Sequence, residues 1–156
     1  MVVSESLRFE DVLVRWARRE CDCGNFPGQA PPSDEGEWLD LLDRHAPRLV
    51  AEIRAAGPIG ALRIAFEPRD VDNLVLYNGE PVGSRGDARL IQELVATPDR
   101  TPIVCTALVE RSNSDKLIGP FSVYDGWHRS AAWRIRISHG HSELLEADVI
   151  KVLTRV

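Results

Sequence analysis

The chain has 156 residues, with 19 Lys and Arg against 24 Asp and Glu, and a formal net charge of −5. That length supports one domain with a real core, and the acidic balance supplies no electrostatic pull toward nucleic acid or an anionic membrane. No apolar run approaches a membrane span, the opening MVVSESLRFEDV lacks a basic segment followed by an apolar one, and three cysteines make no disulfide framework; a soluble cytoplasmic protein without a membrane partner is expected.

Residues 7–19 place Leu7, Val12, Val14 and Trp16 among charges at imperfect helical spacing, and residues 21–36, rich in Cys, Gly and Pro, read as a loop. Cys21 and Cys23 offer two thiols with no second pair, short of the four ligands of a structural zinc site, so reduced thiols are expected. Residues 37–56 are strongly amphipathic, with Trp38, Leu41, Leu42, Leu49, Val50 and Ile53 on one face, a break at Pro47 and an end at Gly57-Pro58. Residues 1–65 are therefore expected to be a helical N-terminal elaboration. Two readings of it stand: a helical layer packed on a sheet, or a cap that selects a substrate or contacts a protein partner.

Residues 74–77, Leu-Val-Leu-Tyr, read as a strand that empties into a long, charged, glycine-rich loop over residues 78–87. Residues 88–97 form a short amphipathic helix. Cys105 sits inside the apolar strand 103–109 as a core residue.

Residues 121–138, FSVYDGWHRSAAWRIRIS, carry the chemistry. A β-branched and aromatic run leads into a helix across Asp125-Gly126-Trp127-His128-Arg129, with Gly126 allowing the close turn and Asp125 placed to cap the helix amides. Free N–H groups and the positive end of the helix dipole, with His128 and Arg129 beside them, suit a phosphate. The plainer reading is a capping Asp125, a solvated Arg129 and a locally bonded His128. Trp127 is either a stacking platform or an apolar plug, Trp133 is helix packing, and His139-Gly140-His141 marks the helix end.

A strand followed by D-G-x-H-R-x-x-A-A resembles the signature of the ParB/sulfiredoxin superfamily, and in motif chemistry its free serine kinase branch. The resemblance extends upstream through the helix at 88–97 and the Pro102-Ile103 strand entry, and covers about half the chain. It implies an α+β fold with a small mixed β-sheet over residues 66–156: hairpin strands at 101–110 and 121–124 joined by a polar loop at 111–120, and a closing strand at 144–153. It also implies ATP or ADP with Mg²⁺, phosphates contacted by Gly126, Trp127, His128, Arg129 and Ser130, and arginine clamps from Arg85 and Arg89, which otherwise read as solvated surface. Glu80 takes the place of the base on an acceptor hydroxyl, or is a turn carboxylate; Asp125 caps, orients Mg²⁺, or does both; and His128 joins them as a catalytic group. Trp127 stands where sulfiredoxin-like sequences carry a cysteine, which argues against sulfinic acid reduction.

The expected activity is phosphoryl transfer from a nucleotide to a small-molecule acceptor. The alternatives are a nucleotide-responsive module whose N-terminal helices meet a protein partner, and a ParB-like nuclease or DNA-binding protein, against which the acidic charge and the absence of a recognisable DNA-binding segment both argue.

Overall fold

In the computed structural model, which describes residues 1–155, six strands form one mixed sheet in the order β1-β2-β6-β4-β5-β3. They are β1 (Val2–Leu7), β2 (Pro58–Phe66), β3 (Leu74–Leu76), β4 (Ile103–Glu110), β5 (Asn113–Asp125) and β6 (Leu145–Val152). The β4/β6 and β3/β5 pairs are parallel and the others antiparallel. Helices α1 (Phe9–Asp22), α2 (Glu35–His45) and α3 (Pro47–Ala55) cover one face, and α4 (Ala88–Ala96) and α5 (Trp127–Ser138) the other.

Period-two alternation in the strands builds a core on each face. On β2, Leu62, Ile64 and Phe66 face α4 and α5 while Ala61 faces α1 to α3; on β4, Ile103 and Cys105 alternate with Val104 in the same way. Strands β4 and β6, covered on both faces, are apolar almost throughout, as buried strands must be. Two buried polar residues interrupt them, Thr106 on β4 and Asp148 on β6; Asp148 is fully buried, accepts from Arg63 Nε at 2.5 Å and lies 3.6 Å from Arg15 Nη1 of α1.

Helix ends follow local chemistry. Asp34 accepts from the Glu37 amide at 2.9 Å to start α2, and Asp87 accepts from the Arg89 and Leu90 amides at 2.8 and 3.2 Å to start α4. Pro47, whose missing N–H costs nothing in a first turn, opens α3 where a break was expected.

Two expectations need correction. Residues 1–65 are not purely helical: they supply β1 and nearly all of β2, hydrogen-bonded into the common sheet, so a boundary at 65/66 cuts through β2. The alternation of Leu62, Ile64 and Phe66 with Ala61 and Arg63 is a strand signal that follows directly on the helix end at Gly57. The polar loop expected at 111–120 is instead a turn at residues 111–112 followed by the first half of β5. That arm is largely exposed, so its strand carries no apolar alternation to betray it.

Candidate functional site at the strand-to-helix turn

A β-bulge sets up the turn. Cys105 on β4 pairs with Val123 on β5, but the preceding Val104 pairs with Asp125, which leaves Tyr124 as the extra residue. Tyr124 packs into the core beneath α1 to α3, and the bulge re-aims Asp125 toward α1, where Arg19 Nη2 reaches its Oδ2 at 3.4 Å.

Gly126 then takes a left-handed conformation, φ 93°, as the N-cap of α5. A Cβ there would lie 2.3 Å from Ile103 Cγ2, so no other residue fits. No side chain caps α5, and its first intrahelical bond is Ser130 N–H to the Gly126 carbonyl at 2.9 Å. The amides of Trp127, His128 and Arg129 therefore precede the hydrogen-bonded ladder, at the positive end of a 12-residue helix.

The side chains of the motif lock this turn in place. Arg129 Nη1 donates to the carbonyls of Thr101 and Pro102 at 2.7 and 3.0 Å, and Nη2 donates to Asp125 Oδ2 at 3.0 Å. His128 Nε2 accepts from the Asp87 amide at 3.0 Å, which assigns the ring proton to Nδ1 and ties α5 to the start of α4. Ser130 is buried, its hydroxyl directed at the Gly126 and Trp127 carbonyls at 2.9 and 3.0 Å. Trp127 stacks on Tyr77 with ring centroids 5.4 Å apart, and its Nε1 is buried with no acceptor among the described residues.

The turn opens onto a cleft of about 600 Å³ between the two helical layers. Asp125, Gly126, Trp127, His128 and Arg129 line one side, and Arg19, Glu20, Cys23, His45 and Leu49 the other. Leu90 and Leu94 of α4 add an apolar wall, and Asp99 closes the far end.

Burial lowers the Arg19 pKa against the pull of Asp125, without removing its charge, and its Nε has no acceptor among the described residues. Burial also disfavours the charged form of Asp99, but the Thr101 hydroxyl and amide, Arg129 and Arg19 outweigh it and hold the carboxyl below its usual range. The Cys23 thiol, though exposed, is pushed up by partial loss of solvent at the cleft wall and by Glu20, which keeps it protonated and a poor nucleophile.

No protein-family model, curated protein or solved structure matches the chain. The site therefore rests on its own geometry. Of the residues singled out in the sequence, Asp125, Gly126, Trp127, His128 and Arg129 come together at the cleft, with Ser130 buried just behind them.

Glu80, Arg85 and Arg89 do not line it. Glu80 is held by Arg85 Nε at 2.9 Å, and that bond, with those from Asn78 and Ser84, lowers its pKa and makes it a weak base. Arg85 is spent on Glu80 and on the Tyr77 hydroxyl at 3.5 Å. Arg89 is 90% exposed and lies 3.6 Å from Glu93, the solvated reading of its sequence position.

Asp125 does not cap, and it does not fit as a resident Mg²⁺ ligand. Its Oδ2 already meets two guanidinium groups, and the described residues hold no cluster of three metal-ligating side chains. The polar cleft residues missed in the sequence include Arg19, Glu20, Asp22 and His45, all from the N-terminal segment. Arg15 and Arg19, four apart beside Trp16 on α1, were the available signal: charges on the apolar side of a helix need partners.

Proposed function

We propose that the cleft binds a nucleotide or closely related phosphorylated small molecule, with phosphate oxygens on the open amides of Trp127, His128 and Arg129. The observation that carries this reading is an uncapped α5 N-terminus facing a cleft of about 600 Å³, a size within the usual range for small-molecule sites. The resemblance of D-G-W-H-R to the ParB/sulfiredoxin signature points to the same turn. Arg19, with an unused Nε, supplies the guanidinium nearest the phosphates, while Arg129 shapes the turn.

Phosphoryl transfer to a small acceptor is the reaction this arrangement would serve, since such chemistry depends on positioning and charge stabilisation. The acceptor would enter along Leu49, Leu90 and Leu94. Its base would be Asp22, a cleft carboxylate with no partner among the described residues, in place of the distant, ion-paired Glu80. No step is routed through a protein-held metal ion, and Mg²⁺ enters as the counter-ion of the nucleotide. A switch role is favoured by one observation: the cleft lies between α1 to α3 and α4 to α5, so a bound ligand would bridge the two layers.

The test is calorimetric titration with ATP, ADP, CTP and GTP plus Mg²⁺, repeated on Cys23→Trp, which fills the cleft from an exposed position. Saturable binding lost in the variant at unchanged melting temperature is expected. Absence of binding to all four, or binding indifferent to Cys23→Trp, sinks the reading; turnover with Asp22→Asn reduced and binding spared separates enzyme from switch.

A further inference from the structure

Asp148 is a fully buried carboxylate that does not line the cleft at the turn. Its place in the sheet nevertheless connects it to that cleft. One row of paired residues crosses five strands beneath α1, running Glu5, Arg63, Asp148, Val104 and Asp125. Four of the five carry charge, and Val104 alone separates the two aspartates.

Helix α1 lies over this row with two arginines one turn apart. Arg15 Nη1 lies 3.6 Å from Asp148 Oδ1, and Arg19 Nη2 reaches Asp125 Oδ2 at 3.4 Å. Side chains four apart share a helix face, and the aspartates stand two strands apart, about 10 Å, so each arginine takes its own carboxylate. The two ion pairs fix how α1 crosses the sheet, and with it the cleft wall that Arg19 and Glu20 supply.

The two pairs are not equivalent. Asp125 keeps Arg129 at 3.0 Å when Arg19 turns away, so Arg19 is able to exchange that carboxylate for a ligand anion. Asp148 has both its cations, Arg63 and Arg15, on Oδ1, which leaves Oδ2 a buried acceptor with no donor among the described residues. Arg19 Nε is the matching buried donor, with no acceptor among them. Asp148 is also a second carboxylate, after Asp125, whose field favours the charged form of Arg19. A leftover donor and a leftover acceptor of opposite charge, under one helix, need only a single bridging water to satisfy both.

We propose that Asp148 is the positioning residue for Arg19: its Oδ2 holds the inward Nε edge of the guanidinium, so that the Nη edge is presented to a phosphate at the α5 N-terminus. Asp148 itself touches no ligand. The ligand half of this inference rests on the phosphate reading of the cleft, and the hold on Arg19 does not.

The test is Asp148→Asn in the intact chain, which keeps the side-chain shape and removes the charge. Two signals are read: the ¹⁵N–¹H resonance of Arg19 Nε, assigned by its loss in Arg19→Lys, and the calorimetric affinity for ATP with Mg²⁺. The Nε resonance is expected to shift and its proton to exchange with water about tenfold faster, while ATP binds about tenfold more weakly. The sign is decisive, because removing an anion beside the cleft would by charge alone tighten phosphate binding. In an Arg19→Lys background the same substitution is expected to leave ATP affinity unchanged, which a general loosening of the fold would not do.

An unmoved Nε resonance, or ATP binding that is unchanged or tighter in Asp148→Asn, overturns the proposal. If the parent chain binds no nucleotide, the reading of the cleft has failed, and the Nε resonance alone decides whether Asp148 sets Arg19. Where Asp148→Asn does not fold, pairing it with Arg63→Met removes opposite charges together and gives the same two readouts.

Discussion

Arg129 holds Asp125 across 3.0 Å, from Nη2 to Oδ2, so the last residue of β5 and the third residue of α5 brace the glycine turn between them. With its Nη1 on the Thr101 and Pro102 carbonyls, the guanidinium joins the entry of β4 to the exit of β5. A lysine carries the charge but not the fork. Arg129→Lys and Arg129→Ala are both expected to lose about 2–4 kcal/mol in urea unfolding, since two carbonyls and a carboxylate lose their donor. A loss below about 1 kcal/mol would mean that the bracing is dispensable and that Arg129 is free to serve a ligand.

Gly126→Ala meets two penalties at once. The backbone at φ 93° disfavours any Cβ, and the added carbon would sit 2.3 Å from Ile103 Cγ2, on a residue with no exposed surface to yield into. The expected cost is above about 3 kcal/mol, seen as a large drop in melting temperature or failure to accumulate as folded protein. A variant that melts with the parent would show that the turn is not held as described.

Much of this architecture was legible because its signals are local. Trp38, Leu41, Leu42, Val50 and Ile53 mark the helical face, Pro47 marks the break, and Gly126 after a β-branched run marks the turn. What the sequence hid was long-range. Nothing in residues 58–66 says that β2 lies between β1 and β6, and nothing near Arg19 says that its partner is Asp125, 106 positions away. The cleft was half legible for the same reason: one wall is a contiguous motif, the other is assembled from α1, α2 and α3. Glu80 illustrates the converse error, since proximity in a charged loop made it a candidate while Arg85, five residues on, had already claimed it.

Tyr124 links the bulge to alkaline stability. Burial, with Glu52 and Tyr77 nearby, pushes its phenol up to about 12 from the ordinary 10.0. The folded state thus keeps a proton that the unfolded chain gives up, so the stabilisation is whole below about pH 10 and is lost as pH rises toward 12. A fall of roughly 2–3 kcal/mol across that window is expected, with tyrosinate absorbance showing a late step near pH 12 that Tyr124→Phe abolishes. Two tyrosines titrating together near pH 10 would contradict the burial of Tyr124.

The cysteines should separate by accessibility. Cys105, buried on β4 and pushed far up by burial and by Asp148 and Asp125, is expected to react with a thiol reagent only after unfolding. Cys23 is exposed and reacts first, slowly at neutral pH because its own pKa is raised. Cys105 labelling in the native protein at the rate of Cys23 would mean that β4 opens freely.

Asp148 is the costliest group in the sheet to strand. It has no exposed surface, its Oδ2 lacks a partner among the described residues, and Arg63 and Arg15 are the cations that justify its charge. Arg63→Met is expected to cost about 3 kcal/mol, because it leaves a buried carboxylate with only the more distant Arg15. Asp148→Leu alone is expected to cost less, about 1–2 kcal/mol, because Arg63 keeps Glu146 at 3.6 Å and Arg15 keeps Glu5 at 3.8 Å. The double variant should recover most of either loss, since burying two charges consumes most of what their attraction returns. A double-mutant cycle in urea reads the coupling directly, and single losses that simply add would show that Arg63 and Asp148 act independently. Recovery in the double variant would instead identify the pair as a device that fixes which strand lies beside β2, bought at little net stability.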